Sequence, residues 1–281
     1  MRRRSFDGGV DVSVLGVGGG RIGSLNNPVP IRDIERMLAA AVEAGINLFD
    51  TADIYGQGDS ERTLGRLASR HPGRIFVITK IGFTHHRHAD LIRAAKPLLR
   101  LWLKSRPGLQ SDVVQARTRL VEQDFSIAHL RRAADASRRR LGLDRLDGLL
   151  LHDPPLPVLR DPRIADFLHG LSRDGTASHV GISACSIDDV EAALAIPAVT
   201  MLQVPATLAT EIHRSGIADQ LRDRRIALFV REILPKVGED RNRVDAVRTA
   251  LAAALAPEFV TAAIVGVSTR HHLDGLLAAV P

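Results

Sequence analysis

Eight short apolar or β-branched runs, DVSVLGV, INLFD, RIFVITK, LDGLLLH, SHVGIS, VTMLQV, IALFV and AAIVGV, recur along the chain, each followed by a longer amphipathic stretch. The helix-like stretches begin near Ile31, Ser60, Ser126, Asp161, Ile187, Gly216, Arg241 and Arg270. Runs that stay apolar instead of alternating belong to strands buried on both faces, as in a parallel sheet covered by helices. Eight such strand-then-helix units in 281 residues predict an α/β fold, a (β/α)8 TIM barrel forming one domain over residues 1–281. Helix punctuation agrees: Pro30 opens the first helix and Gly45 ends it, while Ser126 is an N-cap for the third helix and Gly142 closes it. Ahead of the first strand, RRRSFDGGVDV predicts an N-terminal β-hairpin turning at Gly8 and Gly9, suited to plugging the bottom of the barrel. After the third strand comes a long insertion, about residues 81–123, with THHRH and the only tryptophan, Trp102. In a barrel such a loop emerges on the face where active sites form; its LLRLWL segment around Trp102 is read first as a helix packing on the barrel, with a cover over the mouth that selects substrate as the second reading.

At 45% hydrophobic the chain can bury a large core, and its net charge of +6 raises the question of an acidic partner. The densest basic stretch, LRRAADASRRRLG, puts Leu130, Ala134, Ser137 and Leu141 at helical spacing with arginines between them. That is the pattern of a solvated helix face, and no aromatic residue interleaves with it to stack on bases, so no nucleic acid is expected. The most apolar late segment, TALAAALAPEFVTAAIVGV, is broken by Pro257 and Glu258 and reads as helix then strand, not as a membrane span. Met1 to Arg4 is followed by SFDGGVDVS, where an export signal would need an apolar stretch. With Cys185 as the only cysteine there is no internal disulfide, and a cytoplasmic location is expected, Cys185 serving as a small buried residue. His85, His86 and His88 crowd one loop without the arrangement of a tetrahedral site, so no metal is expected.

The polar residue that closes each strand carries the chemistry, because the strand ends of a closed barrel share one mouth. The second strand ends at Asp50, the third at Lys80, the fourth at His152 and the fifth at Ser183, and the loop just past Asp50 carries Tyr55, the only tyrosine. A phenol has an ordinary pKa of roughly 10, too high for ready proton exchange at neutral pH. A lysine ammonium about 4 Å away, at an effective dielectric of about 20, favours the phenolate by up to about 4 kcal/mol, so Tyr55 is expected to be drawn towards neutrality. Asp50 would keep Lys80 charged and aimed, and His152 would orient the carbonyl oxygen that takes the proton. Such a group reduces a carbonyl or oxidises an alcohol, and the hydride must come from a cofactor.

GINLFDTADIYGQGDSERTLG, followed by FVITK and LLLHDPP, resembles the aldo-keto reductases, with Asp50, Tyr55, Lys80 and His152 matching that family's catalytic tetrad one by one. VSVLGVGGGRIG, with Gly20, is similar to the family's first strand, LRRAADASRRRLGLDRLD to its third helix and VGIS to its fifth strand, so the resemblance covers nearly the whole chain. It implies NADP(H), or else NAD(H), bound in extended form across the strand ends with no Rossmann domain, and a small carbonyl or alcohol as substrate. Gly20, Ser183 and Gln203 fall among the implied cofactor contacts, whereas Ala184 and Ala206 stand where the family usually has an asparagine and a stacking aromatic ring. IVGVSTRHHLDGLL resembles the family's phosphate loop: Gly266, Ser268 and Thr269 suit close contacts at a helix start, and Arg270 and His272 a 2'-phosphate. Arg231 is assigned to the pyrophosphate, while Gly275 and Leu276 replace the Glu-Asn pair usual on the adenine. The chain stops at Pro281, short of the family's C-terminal tail. Two rival readings stay open: a binding protein that senses a dinucleotide, and an enzyme that uses the same tyrosine for proton transfer without net redox.

Overall fold

A computed structural model describes residues 1–24, 27–84, 122–234 and 244–280. Two short antiparallel strands, β1 (Arg3–Phe6) and β2 (Val10–Ser13), form the hairpin expected at the N-terminus, turning through Gly8 and Gly9 at φ +72° and +92°. Eight parallel strands then close into a barrel: β3 (Leu15–Gly18), β4 (Leu48–Asp50), β5 (Phe76–Ile81), β6 (Leu146–His152), β7 (Ala177–Ser183), β8 (Val199–Pro205), β9 (Ala227–Arg231) and β10 (Ala262–Gly266). The last strand returns to the first, with Gly266 paired to Gly18, and the strand ends stay level around the ring: Gly18 pairs with Asp50, His152 with Ser183, and Ser183 with Gln203. That register makes one mouth out of residues far apart in the chain.

Two apolar layers hold the barrel. Side chains facing outward pack under the surrounding helices, while Leu48, Phe76, Ile78, Leu150, Met201, Phe229 and Ile264 fill the interior. The hairpin seals the lower end, where Phe6 is 4% exposed and meets Phe76 and Phe229 edge to face at 5.8 and 6.1 Å. Closure is tight enough to need a glycine: a Cβ on Gly181 would stand 1.9 Å from the Met201 carbonyl oxygen, at the point where the β7–β8 register shifts.

Local sequence explains most helix ends. Ser126 Oγ accepts from the His129 amide at the start of helix Ile127–Leu141, and Gly142 ends it at φ +66°. Its buried face is Leu130, Ala134, Ser137 and Leu141, leaving the arginines outside. Pro30 precedes helix Ile31–Glu43, and Gly45 follows it at φ +88°. Helix Asp59–Arg70 begins one residue before the expected Ser60, Pro162–Arg173 follows its cap Asp161, and Ile187–Leu194 and Arg270–Ala279 start as read. No described helix is long and apolar enough to cross a membrane.

Two expectations need correction. The run DVSVLGV is not one strand: its first half belongs to the hairpin and its second to the barrel. Asn47 makes the break, its side chain accepting from the Ser13 amide at 2.6 Å and donating to the Asp11 carbonyl at 2.8 Å. The unit after β8 has two helices, Ala206–Arg214 and Ile217–Asp223, with Gly216 between them at φ +77°, because Pro205 already opens a helix ahead of it. The helix expected near Arg241 is described from Val244 to Leu255. At the foot of the insertion, Phe83 bridges Gln123 and the Thr84 amide donates to the Glu122 carbonyl at 2.8 Å, so both ends start at the mouth. His85, His86, His88 and Trp102 lie outside the described residues.

Candidate active site

Asp50 closes β4 and is 6% exposed, and from there the chain keeps pairing with β5: the Thr51 amide donates to the Ile78 carbonyl and the Asp53 amide to the Lys80 carbonyl. A 3-10 turn, Tyr55–Gly58, then folds the chain back, with Gly56 and Gln57 left-handed at φ +59° and +55°. Gly56 cannot be replaced cheaply, since a Cβ there would stand 2.6 Å from the Ile22 carbonyl oxygen. The turn lays the Tyr55 ring against Gly20, where a Cβ would make ordinary contact at 3.7 Å. Local backbone chemistry thus aims the tyrosine.

Lys80 on β5 is 1% exposed and donates to Asp50 Oδ1 at 2.5 Å and to the Thr51 carbonyl at 3.1 Å. Gln203 Nε2 donates to the same Asp50 oxygen at 2.9 Å. The Lys80 ammonium lies 5.4 Å from the centre of the Tyr55 ring. His152, at the end of β6, stands edge-on between Tyr55 at 5.9 Å and Phe83 at 4.8 Å. All four tetrad positions read from the sequence therefore meet in one place.

Their protonation follows from burial and charge. Burial by itself would push the Lys80 ammonium down, but Asp50 and Tyr55 outweigh it and hold the pKa above the ordinary value. Burial pushes the Tyr55 phenol up, against the pull of Lys80, which corrects the expectation that it is drawn towards neutrality. The lysine is present as expected; what the sequence did not supply is the depth at which the phenol sits. Burial, with Lys80 adding to it, takes His152 down to about 3, so its imidazole is neutral. Nδ1 of that ring is sealed from solvent with no hydrogen-bond partner among the described residues. A buried lone pair without a donor costs less than a buried N–H without an acceptor, so the proton belongs on Nε2, which can then donate to a ligand oxygen.

Asp153 was not singled out in the sequence. It follows His152 directly, turns left-handed at φ +48°, accepts from Ser183 Oγ, and accepts from Arg231 Nη2 at 3.2 Å. Arg231 also pairs with Glu232 and donates to Cys185 Sγ at 3.3 Å, so its guanidinium reaches from β9 across the mouth to the end of β6. Cys185 is exposed, not buried as expected, because the chain has left β7 two residues earlier.

On the β10 side, Ser268 is buried and Thr269 caps helix Arg270–Ala279 by accepting from the His272 amide at 3.2 Å. Arg270 Nε donates to Asp274 at 2.8 Å. Burial, helped by His271 and Arg21, lowers His272, which leaves arginine as the cationic side chain there. Ser268, Thr269 and Arg270 face Pro28–Pro30, Asp33 and Met37 across a cavity of about 580 Å³. A Cβ on Gly266 would meet nothing within 4 Å, so the end of β10 is open. A helix N-terminus with two hydroxyls and an arginine beside a cavity of this size fits the phosphate end of a dinucleotide, with Ser183 and Gln203 at the tetrad end. A larger groove of about 940 Å³, between helices Ala206–Arg214 and Val244–Leu255 on the flank, includes none of the tetrad. No cluster of potential metal ligands occurs among the described residues.

The aldo/keto reductase family model matches residues 14–236, which spans β3 through β9 and all four tetrad positions. The chain belongs to the aldo/keto reductase family. As an aldo/keto reductase it is 32% identical over 222 residues to a D-threo-aldose 1-dehydrogenase from Pseudomonas sp., a match covering 73% of this chain and 62% of that one. A pyridoxal 4-dehydrogenase from Microbacterium luteolum is 33% identical over 147 residues, 52% of this chain and 41% of that one. The NADP(+) aldo-keto reductase yakc of Schizosaccharomyces pombe is 23% identical over 224 residues, 77% of this chain and 56% of that one. The matches thus span about two fifths to three fifths of these relatives' lengths. A Pseudomonas aeruginosa structure titled as an aldo-keto reductase superposes with a TM-score of 0.73 at 25% identity, covering 99% of this chain and 94% of that one.

Proposed function

We propose that this protein is an NADP-dependent oxidoreductase interconverting a small carbonyl compound and its alcohol, with Tyr55 as general acid in reduction and general base in oxidation. One observation carries the reading: the ring of the only tyrosine is centred 5.4 Å from a buried ammonium that is locked to Asp50, beside a neutral histidine. A carbonyl oxygen between the Tyr55 hydroxyl and His152 Nε2 accepts from both, which polarises the bond. When bound, the nicotinamide supplies the hydride that lands on the carbonyl carbon. Tyr55 gives its proton to the oxygen, and the charge left on the phenolate faces Lys80. The ammonium therefore attracts the transition state more strongly than the ground state, which is the condition for lowering the barrier. The raised phenol keeps Tyr55 protonated and ready as the donor.

Support for the cofactor comes from the cavity at Ser268–Arg270 and from the NADP(+) relative. Ser183 and Gln203 would meet the nicotinamide end, Gly20 lies against Tyr55, and Gly266, Ser268, Thr269, Arg270 and His272 would meet the phosphates, as would Arg231, whose guanidinium also pairs with Asp153 and Glu232. The test is a calorimetric titration with NADPH and NADH, followed by the nicotinamide absorbance change on adding carbonyl compounds. Tyr55→Phe is expected to keep the fold and to bind NADPH within about twofold of the parent, while turnover falls by on the order of a thousandfold. Retained turnover would sink the mechanism, and failure to bind either nucleotide would sink the redox reading.

A further inference from the structure

Gly19 and Gly20, just past β3, back the tyrosine from one side. A Cβ on Gly20 would meet Cε2 and Cζ of the Tyr55 ring at 3.7 Å, and Cζ is the carbon that bears the hydroxyl. How near the phenol comes to Lys80 therefore depends on where this loop stands. Three consecutive glycines, Gly18, Gly19 and Gly20, have the widest backbone freedom and no side chains to anchor them, so bonds to their peptides must hold them. The Gly19 amide donates to the Asp50 carbonyl at 2.7 Å, and the Gly19 carbonyl accepts from the Ile22 amide at 2.9 Å. That carbonyl, in the peptide between Gly19 and Gly20, also accepts from Ser60 Oγ at 3.1 Å. Ser60 Oγ in turn accepts from Thr51 Oγ1 at 2.7 Å, and the Thr51 carbonyl accepts from Lys80 Nζ at 3.1 Å. One chain of hydroxyls thus joins the residue that holds the ammonium to the peptide that backs the phenol. Thr51 and Ser60 are both 0% exposed, so no water replaces either bond at low cost. Ser60 lies in the first turn of helix Asp59–Arg70, where a serine commonly bonds its own helix, yet its hydroxyl reaches across to the loop after β3. The approach is close, since a Cβ on Gly19 would stand 2.6 Å from Ser60 Oγ.

We infer that Thr51 and Ser60 are positioning residues, whose hydroxyl chain fixes the Gly19–Gly20 peptide and thereby sets how the Tyr55 phenol stands against Lys80. Both act through Gly20, not on the substrate. Their effect on turnover rests on the carbonyl–alcohol reading above, whereas their effect on the ring does not. The consequence for rate follows from geometry: a reacting group displaced by about 1 Å loses on the order of a hundredfold, and a loop freed of one of its bonds moves by a part of that.

The experiment uses the fact that Tyr55 is the only tyrosine, so protein labelled with carbon-13 at tyrosine Cζ gives a single resonance from the ring in question. It is read without substrate or cofactor in the parent, Ser60→Ala, Thr51→Val and Thr51→Ser. Alanine removes one atom and suits a helix, valine keeps the shape of threonine without the hydroxyl, and serine keeps the hydroxyl. In Ser60→Ala and Thr51→Val the resonance is expected to move by more than its linewidth, while Thr51→Ser keeps the parent's position. In the same two variants kcat for carbonyl reduction is expected to fall about tenfold, with KM and NADPH affinity within about threefold of the parent. A resonance unmoved in both, with only the urea midpoint lowered, overturns the inference and makes the hydroxyls part of the packing. So does a shift in Thr51→Ser as large as that in Thr51→Val, because the methyl and not the hydroxyl would then place the loop. A resonance that moves while turnover stays level upholds the placing of the ring and sinks the acid–base role of Tyr55. If the parent binds no dinucleotide, the reading beneath falls and the resonance still decides the inference.

Discussion

At the scale of single residues, the pH behaviour of the site follows from two buried groups. The phenol of Tyr55 is held above its ordinary value, so carbonyl reduction, which uses the protonated form, is expected to stay level through neutral pH. Alcohol oxidation, which needs the phenolate, is expected to climb steadily with pH over the same range, and initial rates in both directions would check the contrast. His152 works on stability with the opposite sign. Its folded value of about 3 lies below its ordinary 6.5, so its contribution is complete above about pH 6.5 and is lost as pH falls towards 3. His152→Gln is expected to flatten that acid limb in urea unfolding measured across pH. The tetrad was legible because strand-end positions follow from periodicity and because a lone tyrosine is conspicuous. Asp153 was not legible: nothing in HDPP announces a left-handed turn that carries a carboxylate back over the mouth. Cys185 was misjudged because residue type says nothing about where a chain leaves a strand.

At the scale of elements, the helix that follows the tyrosine turn is joined to its neighbour by buried charge. Glu61 is 0% exposed, accepts from Thr79 Oγ1 at 2.6 Å and pairs with Arg140 of helix Ile127–Leu141. Gly65 brings the two helices together, because a Cβ there would stand 2.4 Å from the Leu141 carbonyl oxygen. Asp53 is buried in the same region, and burial, with Glu61 adding to it, raises its carboxyl well above the ordinary 3.8. A raised folded value means the folded state holds the extra proton: stability is complete below about pH 3.8 and is lost as pH rises through the raised value. Asp53→Asn resembles the protonated acid, so it is expected to unfold at higher urea than the parent at neutral pH, with the difference closing in acid. A variant less stable than the parent at neutral pH would mean that Asp53 works as a carboxylate. The sequence contains all of these residues, yet their meeting depends on how two helices cross, which no spacing rule records. The divided run DVSVLGV has the same origin, because the side chain that bonds the chain where the two halves part, Asn47, lies more than thirty positions on.

At the scale of the whole molecule, the barrel was readable because eight similar units leave few ways to bury eight mostly apolar strands, and closure is one that leaves no open edge. The hairpin was readable as a turn at two glycines, but its role rests on one side chain. Phe6 enters the lower end and meets Phe76, Phe229 and His179, while Asp7 beside it pairs with His179 at 3.0 Å. The tetrad stands at the other end of the strands, so on the mechanism proposed above the two ends divide the work between stability and chemistry. Phe6→Ala leaves a cavity among large rings and is expected to cost about 3–5 kcal/mol in urea unfolding. At a temperature where both proteins are folded, kcat/KM is expected to stay within about twofold of the parent, since no strand end moves if the interior keeps its register. A proportionate fall in kcat/KM would show that the plug sets the geometry of the mouth through the barrel interior, and the two ends would then have to be treated as coupled.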